Sequence, residues 1–215
     1  MRKTFVLMAL IMALSLPAAA GLVNGYWDTG DQTGWTQWGA PWGGGYGWAV
    51  TFGGPTAPEG TLTLGGNGSF GWVQCFDCPV GNICTVSADW AGSLGGAGWA
   101  EVMLWTTNDP LENCGERADT GANGDIAFKK DSWGMNPPTT WNWQAASLSP
   151  HPLGNGGTVV SMGIVCVALK LGGFSPPEWA SFDNIAVVCV PEPGSLLALG
   201  TGLVGLFGFA IRRRK

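Results

Sequence analysis

From Trp48 to Val190 no long stretch keeps a helical period; short aromatic or β-branched runs recur instead, each closed by a turn-forming dipeptide. Gly-Gly, Asn-Gly, Asp-Pro and Pro-Pro mark these closures, through the free φ of glycine and the fixed φ of proline. The pattern predicts strands at Trp48–Phe52, Thr61–Leu64, Ser69–Phe76, Ile83–Trp90, Trp99–Thr106, Ile126–Lys129, Trp141–Ala145, Val159–Leu171 and Ser181–Val190. Polar and apolar residues alternate in Thr85–Trp90, as they must when one face packs inward. Val159–Leu171 is more continuously apolar and reads as a strand through the centre of the domain. Leu111–Lys130, rich in Asn, Gly and Asp, reads as a long loop pinned by Cys114. The 36 glycines and 14 prolines approach a disordered composition, but 13 tryptophans and nine phenylalanines supply surface to bury. The expectation is an all-β, two-sheet sandwich of the jelly-roll kind.

The two ends of the chain read differently from this middle. Arg2 and Lys3, an apolar run from Phe5 to Leu16, and Ala18-Ala19-Ala20 have the order of a cleaved signal peptide over residues 1–20. Gly194 to Ile211 carries no charge and, as a helix of about 27 Å, is long enough to cross a bilayer core. Arg212, Arg213, Arg214 and Lys215 follow it and would stay on the cytoplasmic side. The domain between, residues 21–189, would then lie outside the inner membrane.

Export fits the charge and the cysteines. All fifteen acidic residues fall between Gly21 and Pro193, against four cations there (Arg117, Lys129, Lys130 and Lys170), a balance of 4 − 15 = −11. Such a surface excludes a nucleic-acid footprint, which is basic. Cys75, Cys78, Cys84, Cys114, Cys166 and Cys189 form an even set, read as two or three structural disulfides whose pairing the sequence leaves open. A metal cluster around Cys75-x-x-Cys78 lacks a second such pair or a spaced histidine pair.

Val190-Pro191-Glu192-Pro193, the apolar segment and the basic end, in that order, closely resemble the PEP-CTERM sorting signal. The resemblance implies an exosortase as processing partner, cutting near Pro191, Glu192 and Pro193, in a bacterium with an outer membrane and extracellular polysaccharide. Asn24-Gly25-Tyr26-Trp27-Asp28-Thr29-Gly30-Asp31, with Gly34-Trp35, resembles the opening strand of galactose-binding-like jelly rolls and related carbohydrate-binding modules. Ser181-Phe182-Asp183-Asn184-Ile185-Ala186-Val187 is similar to their closing strand. By that resemblance Asp28 and Asp183 stand where the family's ligands to a structural calcium stand. Against this, Asp28 capping a turn and a solvated Asp183 explain the residues equally well.

Tryptophans are the material for sugar binding, since an indole face stacks on the apolar face of a sugar ring. Trp35, Trp38, Trp42 and Trp48 lie in a glycine-rich, turn-prone stretch, and Trp141 and Trp143 share a face of one strand. Trp72, Trp90, Trp99 and Trp105 sit inside strand patterns and read as core. Catalysis finds little material. His151 is the only histidine and no Gly-x-Ser-x-Gly elbow accompanies it. Asp89 and Glu101, on strands expected to be neighbours, are the first pair to consider for glycosidase chemistry. The reading is a non-enzymatic exported protein of the cell surface or extracellular matrix that binds or organises exopolysaccharide. The alternatives are a disulfide-held structural protein without a ligand and, more remotely, a glycan hydrolase.

Overall fold

The computed structural model describes residues 18–19, 21–52, 60–94, 98–120, 126–131, 140–145, 158–174, 178–192 and 201. Its strands are β1 (Ala18–Ala19), β2 (Thr36–Phe52), β3 (Gly60–Asp77), β4 (Ile83–Ser93), β5 (Trp99–Thr107), β6 (Ile126–Asp131), β7 (Thr140–Ala145), β8 (Thr158–Val160), β9 (Ile164–Gly173) and β10 (Trp179–Val190), with a helix, α1 (Cys114–Thr120), after β5. Every pairing among them is antiparallel, and the main path runs β6-β5-β9-β3-β10-β4-β7. Among the described residues the chain is all-β, as expected, apart from α1 and the helical Thr201.

The path folds into two layers because β3 serves both. Its second half, Gly68–Asp77, pairs with β9, while Leu62–Gly65 pairs with β10 along the same edge. The change of partner falls at Gly66 and Gly68, whose φ of 128° and 129° favours glycine. On the other edge the register of β2 shifts between Trp42 and Gly47, opposite Asn67 and Gly65. Both strands of the hairpin therefore turn the same corner, and the β6-β5-β9 side folds over the β10-β4-β7 side. Between the layers lie Leu62, Leu64, Phe70 and Trp72 of β3 with Val86 and Trp90 of β4, Val102 and Leu104 of β5, Val165 to Leu171 at alternate positions of β9, and Phe182 of β10. Each such side chain, fully buried, contributes about 1.5–3 kcal/mol.

The opposite face of β5 and β9 is covered as well. Met103, Trp105, Cys166 and Ala168 point away from the main core and pack with Val73, Trp38 and Ala118 of α1 into a second, smaller apolar cluster. That is why β9 reads as continuously apolar: both of its faces are buried.

Several expectations are corrected. Thr61–Leu64 and Ser69–Phe76 are one strand, since the glycines between them bend the ladder without ending it. Val159–Leu171 is two strands, broken at Ser161–Gly163, where Ser161 Oγ donates to Cys78 O and accepts from Gly163 N. The turn-prone stretch before Trp48 belongs to strand β2 from Thr36 onward. The loop expected over Leu111–Lys130 contains α1. The opening Asn24–Asp31 segment is a series of turns rather than a strand, with Asn24 and Trp27 at positive φ.

Candidate functional site

Beyond Thr107 the chain closes turns with its own acidic and amide side chains. Asp109 Oδ1 accepts from Leu111 N at 2.9 Å, and Asn113 Oδ1 accepts from Glu116 N at 3.2 Å, capping α1. Arg117 meets Glu112 at 3.0 Å and braces the first turn. The far end of α1 is held by Lys170, which is 4 % exposed. Its Nζ donates to Asp119 O at 2.7 Å and to Ala118 O at 3.3 Å, and lies 3.8 Å from Glu101. A cation at a helix C-terminus satisfies carbonyls that have no partner inside the helix. The same Nζ lies 5.6 Å from the ring of Trp38 and 5.9 Å from that of Trp99. Ser69 Oγ donates to Asp119 Oδ1 at 2.5 Å.

These ties place α1 beside the start of β2 and leave a cleft of about 470 Å3 between them. Thr36, Gln37, Trp38 and Gly39 form one wall; Asn113, Gly115, Glu116 and Asp119 form the other. Gly115 sits so close to Trp38 that an added Cβ would lie 2.7 Å from the tryptophan Cβ, so the approach requires glycine. The cleft offers amide and carboxylate groups around one indole, suited to a neutral ligand rich in hydroxyl groups.

Of the tryptophans expected to meet a ligand, Trp38 lies in this cleft, but it is buried, with 6 % of its surface exposed. Trp35 is buried too, stacked on Trp27 at 5.2 Å with Nε1 donating to Asn24 O. Neither offers an open indole face, because the turns of residues 21–35 and the cover of α1 close over them. The side chains of Trp42, Trp48, Trp141 and Trp143 lie outside the described residues, as does His151. Gln37, Asn113, Glu116 and Lys170 were not singled out by sequence as site residues. Lys170 alone left a signal, as the one charge in an apolar run.

Asp89 and Glu101 are not on neighbouring strands: β9, β3 and β10 stand between β5 and β4 in the sheet path. Glu101 is buried against Lys170, and Asp89 Oδ2 accepts from Asn184 Nδ2 at 2.7 Å. Asp28 is exposed, and Asp183 is fully buried with Oδ1 accepting from Asn184 N at 2.7 Å.

Four of the six cysteines are bonded, Cys75 to Cys166 and Cys84 to Cys189, each pair directly opposite across neighbouring strands. Two disulfides fall within the two or three expected, and Cys78 and Cys114 are the cysteines left as free thiols. Pro191 is half-buried and Glu192 exposed, while Pro193, the helix expected over 194–211 apart from Thr201, and Arg212, Arg213, Arg214 and Lys215 lie outside the described residues. Among the described residues no helix is long and apolar enough to cross a membrane.

No curated protein sequence matches the chain. Among solved structures it is similar to the TmCBM61 module in complex with β-1,4-galactotriose, with 13% identity, TM-score 0.47, and 79% of this chain and 98% of that one covered. A CBM4 structure aligns at 17% identity and TM-score 0.41, covering 80% and 100% of the two chains. The K3 adhesin domain of Lys-gingipain from Porphyromonas gingivalis aligns at 12% identity and TM-score 0.48, covering 79% and 98%. The C-terminal segment is matched by a family model in its own right, the PEP-CTERM protein-sorting motif, over residues 190–215. The chain therefore carries a PEP-CTERM sorting motif, which implies export and processing by an exosortase.

Proposed function

We propose that the exported domain is a non-catalytic glycan-binding module of the cell surface or extracellular matrix, and that exopolysaccharide occupies the cleft between β2 and α1. The lining of that cleft carries the reading: Gln37, Asn113, Glu116 and Asp119 present donors and acceptors beside Trp38 in a cavity of a size suited to a small saccharide. The strongly acidic exported region favours neutral over anionic sugars. Asp89 and Glu101, the pair first considered for glycosidase chemistry, lie on strands that are not neighbours in the sheet path, β4 and β5.

The test is a glycan array followed by titration calorimetry on the full chain in detergent. Glu116→Gln should weaken the retained glycan about tenfold, the loss of one or two hydrogen bonds, with the melting temperature little changed. Asn113→Ala, which also removes the cap of α1, should weaken it with a lowered melting temperature. An array on which nothing is retained would replace this reading with a purely structural role for the disulfide-held sandwich.

A structural calcium at Asp28 and Asp183 belongs to the same proposal. Its support is that Ile185 N donates to Gly25 O at 2.9 Å, which ties the loop carrying Asp28 to the strand carrying Asp183. Carboxylates are the right chemistry for calcium, which takes six to eight oxygens. A melting temperature that chelation does not move would remove the ion.

A further inference from the structure

Each disulfide has a spare thiol against it. Cys114 Sγ lies 2.8 Å from Cys75 Sγ and 3.6 Å from Cys166 Sγ, and Cys78 Sγ lies 3.4 Å from Cys84 Sγ. The six cysteines thus form two sets of three, Cys75–Cys114–Cys166 and Cys78–Cys84–Cys189, with the sulfurs of each set within 4.8 Å of one another. Either bond within a set is reachable by turning side chains, without moving the sheet.

The two pairings differ in the unfolded chain. Cys75 is 39 residues from Cys114 and 91 from Cys166; Cys84 is 6 residues from Cys78 and 105 from Cys189. Closing a loop costs entropy that rises with its length, so the unfolded chain favours Cys75–Cys114 by about threefold to fourfold, and Cys78–Cys84 by a wider margin. The observed bonds, by contrast, join residues that meet only once β3 has paired with β9 and β4 with β10.

We propose that Cys114 and Cys78 are placeholder partners: Cys75–Cys114 and Cys78–Cys84 form first, and docking of β9 and β10 exchanges them for Cys75–Cys166 and Cys84–Cys189. The first bonds need an oxidant of the disulfide class. The exchange needs none. The Cys166 thiolate attacks Cys75 Sγ, the new bond forms, the bond to Cys114 breaks, and Cys114 leaves as a thiolate that takes up the proton Cys166 lost; Cys189 displaces Cys78 from Cys84 in the same way. In the folded protein Cys114 sits beside the bond rather than behind it, away from the line that the reverse attack requires. Burial first, and the Glu112 carboxylate second, also hold the Cys114 thiol above its ordinary pKa, so it is a poor nucleophile there.

Full-length protein, reduced and denatured in detergent, is returned to a buffer of reduced and oxidised glutathione, quenched with acid, alkylated and mapped by peptide mass. The expected course is early Cys78–Cys84 and Cys75–Cys114 peptides that decay as the observed pairs rise, with two free thiols per chain throughout the conversion. Observed pairs that arise without these precursors, or a thiol count that falls during conversion, would overturn the proposal. Chains isolated directly from the cell envelope give a second measurement that needs no refolding. There, Cys166→Ser should carry a Cys75–Cys114 bond and Cys189→Ser a Cys78–Cys84 bond; free, alkylatable Cys75 and Cys84 in these variants would equally overturn it.

Discussion

Lys170 stands at the junction of a strand, a helix end and two indoles, and its removal would be felt by all of them. Lys170→Met leaves the buried Glu101 carboxylate without that cation and the last carbonyls of α1 without their donor. Breaking one side of a buried ion pair costs about 3–5 kcal/mol, which for a domain of this size lowers the melting temperature by roughly 6–15 °C. Thermal denaturation followed by circular dichroism checks this. Pairing the change with Glu101→Leu should restore the share of the loss that belongs to the ion pair, and the share that belongs to the α1 carbonyls should remain. Asp31 is a milder case. Hydrogen bonds from Thr33, and then from Thr29, hold its carboxyl below the ordinary carboxylate value in an exposed loop. A depressed folded pKa means that the contribution to the loop is present above about pH 4 and fades as pH falls through the folded value. Because that loop carries Trp27 and Trp35, tryptophan emission should change on acidification below about pH 4, and Asp31→Asn should flatten the change.

At the scale of the element, α1 matters more than its seven residues suggest. It is too short to be stable alone and is held by the Asn113 cap, the Lys170 bonds and the burial of Ala118. Gly115→Ala would drive a methyl into Trp38 and shift the helix from β2. Overpacking of this kind costs about 1–3 kcal/mol, and the wall of the cleft moves with it. The melting temperature should drop by several degrees, with glycan affinity falling in the same calorimetric titration. The helix was not legible in the sequence because none of these supports is local. Its stretch is rich in Asn, Gly and Asp, which favour turns, and its main restraint comes from Lys170, some fifty positions away. The strands were legible because alternation and aromatic runs are local signals. Where they were misjudged, as at Ser161–Gly163 or the Gly66–Gly68 corner, a tertiary contact or a change of partner decided the outcome.

For the whole molecule, the address was easier to read than the cargo. The sorting motif is a linear sequence of parts, and the family match covers the same residues that the order of proline, apolar run and basic end marked out. Replacing Pro191, Glu192 and Pro193 together by alanine should abolish processing, so that the mass of the protein recovered from the envelope still includes residues 194–215. An unchanged, shortened mass would show that the cut does not depend on these residues. The cleft was hidden because its two walls are about seventy-five residues apart in the chain and meet only through the packing of Trp38. The tryptophans that looked free to bind, Trp35 and Trp38, are enclosed instead.

The Cys84–Cys189 bond lies one residue before Val190, where β10 gives way to the sorting segment. Were the protein held by that segment, any pull on it would enter the domain through Val190. Beyond one residue the tension meets a covalent link and passes into β4, in the middle of its layer and hydrogen-bonded to β10 along ten residue pairs. Peeling β10 away one hydrogen bond at a time is therefore blocked at its first step. The sandwich is clamped at the point where the sorting segment joins it, so a load applied there would be resisted by the sheet as a whole.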